Sequence, residues 1–255
     1  MHYQTFTPCD ELKDYISHFW VGTWDSAKLP PHETYYIVAN SLTDICFAFN
    51  SDTADAELLF SLVRGQTNKP LQVPVKGFYH LIGVAVYPYA LPSLINLATS
   101  DLSRELIGLD DLFSKDAAQL NQQMAAGQNV MARIEILSDF LKSLVNRNSI
   151  KDRLMLHAVK QVIYQNGHKS VVQLADDFCL SQKQFYRRFK EFSGFNPKLF
   201  SRIVRFEAVT KSYPFLSNLT EVAYLHGYYD QAHLIHEFQE FTGFNPTEFW
   251  KLAED

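Results

Sequence analysis

Cysteine is scarce in this 255-residue sequence: there are three, Cys9, Cys46 and Cys179, odd in number and far apart. That count excludes a disulfide framework, and the spacing matches no zinc-ligand pattern. A reducing compartment, the cytoplasm, is the expected location. Long apolar runs are missing too, since no stretch approaches the ~18 uncharged residues of a membrane span. The start, Met1-His2-Tyr3-Gln4, has no basic segment and no apolar run behind it, so no secretory signal is expected. Positive charge in excess is also absent. The net charge of −5 argues against a uniformly basic chain.

What is present is globular. A hydrophobic fraction of 47% and a charged fraction of 20% suffice for a core, in one large domain or two ordinary ones. Charge is unevenly spread. Residues 1–150 carry 10 Lys+Arg against 16 Asp+Glu, whereas residues 151–255 carry 13 against 12. Seven cations fall within 181–205 (Lys183, Arg187, Arg188, Lys190, Lys198, Arg202, Arg205), opposed only by Glu191.

That basic stretch lies in an internal repeat. Phe192-Ser-Gly-Phe-Asn-Pro-Lys-Leu-Phe200 recurs as Phe241-Thr-Gly-Phe-Asn-Pro-Thr-Glu-Phe249, offset by 49 residues. Phe185, Phe189 and Phe192 align with Leu234, Phe238 and Phe241. Ala175 aligns with Ala223 at an offset of 48, so the second copy has one extra residue in its turn. Two copies of one helical unit are the economical reading. Ser170-Val-Val-Gln173, Ser181-Gln-Lys-Gln184 and Asn218-Leu-Thr-Glu221 read as capping boxes. Asn196-Pro197 and Asn245-Pro246 place Asn at N-cap and Pro at N1, and Asp230 is a further N-cap. Gly227 stands where a residue of positive φ closes a helix. These signals predict helices at 171–178, 182–192 and 197–212, then 219–226, 231–241 and 246–253, preceded by one at 151–166. A short helix, a tight turn and a second helix make a helix-turn-helix.

The first 90 residues differ. Tyr35–Ala39, Asp44–Phe49, Leu58–Val63, Leu71–Val75 and Phe78–Tyr87 are rich in β-branched and aromatic residues and are separated by Asn, Asp, Gly and Pro. A β-sheet or small barrel is expected, trailed by amphipathic helices at 116–126 and 129–146. The fold class is α+β: a β-rich domain over 1–147 and an all-α domain of two helix-turn-helix units over 150–255.

The chemistry sits on helix 182–192. Phe185, Phe189 and Phe192 define its buried stripe, so Gln182, Lys183, Tyr186, Arg187 and Lys190 share the other face. Arg can bind guanine O6 and N7 together, Gln can bind adenine N6 and N7, and a helix carrying such groups fits the major groove. A solvated basic face would look the same on one helix; the repeat around it favours the reader. In the second copy the equivalent positions are Gln231, Ala232, Ile235, His236 and Gln239, with no Lys or Arg among them. From 218 onward only Lys251 is basic, against seven acidic residues. The first copy should therefore anchor, and the second add weaker contacts. His226, His233 and His236 read as surface polarity, and no carboxylate or cysteine completes a metal set among them.

At these residues the sequence resembles a known family. Gly227-Tyr-Tyr-Asp-Gln-Ala-His-Leu-Ile-His-Glu-Phe238 with Phe241-Thr-Gly-Phe-Asn-Pro246 is similar to the signature of AraC-type (AraC/XylS) transcription regulators. Leu174-Ala175, Ser181, Phe185, Arg187, Phe189-Lys190 and Gly194-Phe-Asn-Pro197 resemble that family's first unit, and Arg205 and Ala208 its linker helix. The resemblance implies two helix-turn-helix subdomains on a rigid linker helix, reading successive major grooves through Gln182, Lys183, Tyr186 and Arg187, then Gln231, Ala232, Ile235 and His236. Cys179, where the family usually has Gly, and His236, where it has Arg, depart from it. Double-stranded DNA is the implied partner, with RNA polymerase, a small-molecule effector and a second copy of the chain as further ones. No cofactor is implied.

Gly83-Val-Ala-Val-Tyr-Pro-Tyr-Ala90 and Glu105-Leu-Ile-Gly-Leu-Asp-Asp-Leu-Phe113 resemble, more loosely, the sensor domain of an AraC subgroup, which implies effector binding or dimerisation on a cupin-like barrel. Trp24, Tyr35, Arg64 and Tyr87, with Trp20, are candidates to line an apolar ligand pocket with one anchoring cation, although aromatics more often build core. His32-Glu33 and His80 lack the His-x-His plus Glu spacing of a metal-binding barrel enzyme, and His80 reads as a hydrogen-bonded strand residue. No catalytic set is found, so the chain is not expected to be an enzyme. The alternatives are a barrel enzyme, or a ligand-free protein-interaction module, fused to a DNA-binding domain.

Overall fold

A computed structural model describes residues 2–26, 35–73, 77–95, 99–147, 152–212 and 218–254. The strands are β1 (His2–Phe6), β2 (Ile16–Asp25), β3 (Tyr35–Ile37), β4 (Thr43–Phe49), β5 (Leu58–Arg64), β6 (Leu71–Val73), β7 (Phe78–Val86) and β8 (Leu106–Gly108). The helices are α1 (Leu91–Ile95), α2 (Thr99–Leu102), α3 (Leu109–Phe113), α4 (Lys115–Ala126), α5 (Val130–Arg147) and α6 (Arg153–Tyr164). There follow α7 (Val171–Asp177), α8 (Gln182–Ser193), α9 (Pro197–Ser212), α10 (Leu219–Leu225), α11 (Gln231–Thr242) and α12 (Pro246–Glu254). The chain divides into two compact units. One comprises Met1–Thr34, Leu42–Gln66 and Pro74–Asp152; the other comprises Tyr35–Ser41, Thr67–Val73 and Arg153–Asp255.

The first unit is built on a six-stranded antiparallel sheet in the order β1-β2-β7-β4-β5-β8. The expected β-rich domain with trailing helices is thus observed. Strand β4 is buried at every position, which is why Ile45–Phe49 is an unbroken apolar run rather than an alternation. Trp20, Gly83 and Cys46 stand opposite one another on β2, β7 and β4. Gly83 is there because the Trp20 ring lies where a Cβ would be, 2.5 Å away. The indole N–H donates to Asp44 at 3.0 Å, and Arg64 pairs with the same carboxylate. Burial pushes the Cys46 thiol up to about 12, so it is an inert core group. Helix α5 inserts Arg133, which is 1% exposed; its Nε donates to the Met124 carbonyl at 3.1 Å and its guanidinium lies 3.9 Å above the Phe49 ring centroid.

The second unit contains the helical repeat and a two-stranded ribbon, β3 paired with β6, contributed from earlier in the chain. Backbone N–H of Ala39 donates to the Phe241 carbonyl at 3.0 Å. Tyr36 meets Phe244 edge-on at 4.9 Å. The N–H and hydroxyl of Ser41 both donate to Glu207 at 2.7 Å, and burial holds that carboxyl above its ordinary range. The helix core is aromatic: Phe185, Phe189 and Phe200 pack in the first copy, and Phe206, Phe238 and Phe241 in the second.

Observed helix limits lie within about two residues of those predicted. The sequence reading gave no strand at β1, β2 or β8. His32 and Glu33, Pro74 and Val75 of the fourth predicted strand, and residues 148–151 at the expected boundary lie outside the described residues. Among the described residues no helix is long and apolar enough to cross a membrane.

Candidate nucleic-acid interface

Helix α8 begins where its cap dictates. The Ser181 hydroxyl accepts from the Gln184 N–H at 3.3 Å, and the Gln184 side chain accepts from the Ser181 N–H at 3.3 Å. The same reciprocal pair, Ser170 with Gln173, starts α7. Phe185 and Phe189 are wholly buried and Phe192 nearly so, which fixes the helix's rotation. Gln182, Lys183, Tyr186, Arg187 and Lys190 are consequently all exposed. The turn between α7 and α8 passes through Cys179 at φ 52, a left-handed conformation that the second copy gives to Gly227 at φ 70. Cys179 therefore occupies a glycine-type position at a steric cost.

The second copy repeats the geometry with other chemistry. Asp230 caps α11 by accepting from the His233 N–H at 2.7 Å. Gln231, Ala232 and His236 are exposed and Ile235 is half-buried. Gln231 is already engaged, accepting from the Thr220 hydroxyl at 3.1 Å, which ties α11 to α10. Asn218 caps α10 through the Thr220 N–H at 2.9 Å, so the expected box with Glu221 is replaced by a simple cap. A box unforeseen in the sequence closes at α12 instead: Asn245 accepts from the Glu248 N–H at 2.9 Å, and Glu248 accepts from the Asn245 N–H at 3.2 Å.

Two residues that position the interface were missed. Glu237 is 1% exposed and receives Arg202 Nε at 2.6 Å, the Tyr228 hydroxyl at 2.8 Å and Arg205 Nη2 at 3.4 Å. Burial and the Glu237 carboxylate push the Tyr228 phenol upward. This network bolts α11 to α9, and Arg202 reaches on to Glu240 at 2.5 Å. The signal was present: Glu237 falls on the stripe of Leu234, Phe238 and Phe241, where a charge needs a buried partner. The second is His226, expected on the surface but 6% exposed, with Nε2 at 2.6 Å from the Ser212 hydroxyl; burial lowers its proton affinity. It sits at the C-terminal end of α10, where the chain turns inward.

Each candidate ligand residue has a place of its own in the fold. Trp24 is buried on β2, and Arg64 gives its charge to Asp44. Tyr87 stacks on Tyr89 with centroids 5.2 Å apart, and Tyr35 belongs to the other unit. His80 is buried in β7 with Nδ1 at 3.3 Å from the Thr23 hydroxyl, a structural residue as read. Among the described residues no group of three or more His, Cys, Asp or Glu is placed to hold a metal ion.

Comparison with known proteins agrees with this geometry. Residues 174–251 match a family described as a helix-turn-helix domain, and residues 4–107 match a domain of unknown function, DUF6597. No curated protein sequence matches the chain. Among solved structures, the P21 crystal form of ToxT from Vibrio cholerae superposes with a TM-score of 0.53 at 11% identity, covering 99% of each chain. ToxT from Vibrio cholerae O395 gives 0.52 at 11%, covering 92% of this chain and 97% of that one. Unsaturated fatty acid bound ToxT gives 0.50 at 13%, covering 91% and 94%. At such identities the likeness is one of fold. The C-terminal region is a helix-turn-helix domain, in line with the AraC-type resemblance read from the repeat.

Proposed function

We propose that this chain, whose C-terminal region is an AraC-type helix-turn-helix domain, is a sequence-specific DNA-binding transcription regulator, controlled through its N-terminal domain by a small-molecule effector or by dimerisation. The observation that carries the reading is the presentation of Gln182, Lys183, Tyr186 and Arg187 together on the exposed face of a capped helix whose other face is anchored by phenylalanine. Lys183, Arg187 and Lys190 supply the charge that draws a helix to DNA, and the two amide and guanidinium side chains supply base recognition. The second recognition helix contributes shape and polar contact through Gln231, Ala232, Ile235 and His236, without a cation to anchor it. A small-molecule effector is supported by the fold, since ToxT has been crystallised with an unsaturated fatty acid bound.

Selection of binding sites from random DNA, with the full chain, tests the reading. The wild type should return a motif of two half-sites about 10 bp apart, one helical turn. Arg187→Ala should weaken specific binding by about 1–3 kcal/mol and relax preference at one base pair. An unchanged motif for that variant would remove the base-reading assignment, and a protein indifferent to DNA at low salt would remove the function.

A further inference from the structure

A cleft of about 580 Å³ opens among the turn before α7, helix α9 and helix α11. Both copies of the repeat and the helix between them supply its walls. Arg202 and Arg205 border it, but Glu237 and Glu240 answer their charges. What remains is a set of donors. Lys198 is exposed on α9 and has no carboxylate within ion-pairing distance among the described residues. Ser201, one turn further on, is 8% exposed, and its buried hydroxyl has no hydrogen-bond partner among the described residues. A helical serine either points to solvent or donates to the carbonyl four residues back; this buried hydroxyl does neither. His233 accepts the Tyr229 N–H on Nδ1 at 3.4 Å, which places its own proton on Nε2 as a donor. His236 is exposed at the rim.

Buried polar groups are normally satisfied, and an unsatisfied one calls for a partner such as a water or an ion. Hydroxyl, imidazole and ammonium side chains lining one cleft, with its two carboxylates already taken by arginines, suit an anion with several acceptor oxygens. Phosphate is that anion. We propose that this cleft is a phosphate seat and that it takes a backbone phosphodiester of DNA lying between the two half-sites. The inference rests on the DNA-binding reading above. The DNA backbone is favoured over a free phosphorylated molecule because His236, a base-reading candidate, lines the cleft, and because the walls come from both copies of the repeat, between whose recognition helices the backbone must cross. Such a contact carries no sequence information. It sets the register of the two readers on the duplex.

The experiment uses the full chain and duplexes bearing a selected site. Affinity is measured from about 50 to 200 mM salt for wild type, Lys198→Ala, Lys198→Arg and Ser201→Ala, with thermal unfolding as a check on folding. Loss of one phosphate contact should reduce the slope of log K against log salt by about 1. Lys198→Ala should show that loss with an unchanged selected motif, and Lys198→Arg should restore it. A neutral methylphosphonate at one linkage between the half-sites should weaken wild type but cost Lys198→Ala nothing further. Additive losses at every such linkage would overturn the seat. If inorganic phosphate or pyrophosphate raises the melting temperature through Lys198 while no linkage is sensitive, the occupant is a small phosphorylated molecule and the DNA assignment is overturned. If Arg187→Ala relaxes the motif while Lys198→Ala changes neither slope nor affinity, the seat fails and the regulator reading survives. Indifference of the wild type to DNA overturns both.

Discussion

Replacing Glu237 by alanine tests the joint between the linker helix and the second recognition helix. The carboxylate is almost fully buried and answers Arg202 Nε at 2.6 Å, the Tyr228 hydroxyl at 2.8 Å and Arg205 at 3.4 Å. Removing one partner of a buried ion pair costs about 3–5 kcal/mol, because the other charge stays behind uncompensated. Arg202 retains Glu240 at 2.5 Å, so the lower end, about 3 kcal/mol, is expected here. That is a large share of a total stability of about 5–15 kcal/mol. With a urea dependence of about 1–3 kcal/mol per molar, the unfolding midpoint should fall by about 1–3 M. Glu237→Gln keeps an acceptor for one donor and should lose less. Glu240→Ala removes an exposed partner and should cost no more than about 1 kcal/mol. The assay is urea unfolding of the full chain, followed by tryptophan fluorescence and far-UV circular dichroism. Equal losses for Glu237→Ala and Glu240→Ala, or a loss below about 1 kcal/mol for the former, would refute the view that burial makes this contact strong.

Other substitutions probe other elements. Gly83→Ala places a methyl 2.5 Å from the Trp20 ring and 2.8 Å from the Ile45 carbonyl oxygen. It should cost about 1–3 kcal/mol and alter the near-UV tryptophan signal; a neutral result would show that the sheet yields. Cys179→Gly relieves a left-handed residue at φ 52 that is exposed and packs little. The relief of about 1–2 kcal/mol, less about 0.4–1 kcal/mol for the freer unfolded chain, leaves a small rise in melting temperature; a fall would mean that the thiol makes a needed contact. His226 is held below its ordinary proton affinity by burial, with His168 adding repulsion. As pH falls below about 6.5 the unfolded chain takes up a proton that the folded chain refuses, so stability present above that pH is lost. His226→Asn should flatten the decline in melting temperature between about pH 7.5 and 5.5, and an identical decline in the variant would assign it elsewhere.

The helical half was legible because its signals are local. A serine hydroxyl and a glutamine three residues on determine a helix start whatever surrounds them, and the structure shows both serine boxes closed at α7 and α8. The burial stripe of Phe185, Phe189 and Phe192 likewise fixed which side chains of α8 face outward. Asn218 failed as a box because its side chain reaches the N–H of Thr220, two residues on, and leaves Glu221 unused. The strands were less legible. β1 is a polar edge strand, and β8 has three residues, so neither carries a periodic pattern long enough to read. Glu237 entered only the count of acids after residue 218, because its partners, Arg202 and Tyr228, come from other elements. Spacing on a helix gives the side a residue faces, but what it meets there is tertiary information.

The ribbon β3–β6 gives the helical unit a seam that the linear sequence hides. A fragment starting at residue 150 keeps every helix of both repeats, yet it discards Ser41, Ala39 and Tyr36. Glu207 is then a buried acid stripped of both its donors, Phe241 has an unanswered carbonyl, and Phe244 has lost the ring against its edge. Weak or disordered behaviour in such a truncation reports the missing seam and says nothing about the DNA-reading helices. Dissection of this protein therefore has to keep residues 35–41 and 67–73 with the carboxyl-terminal half.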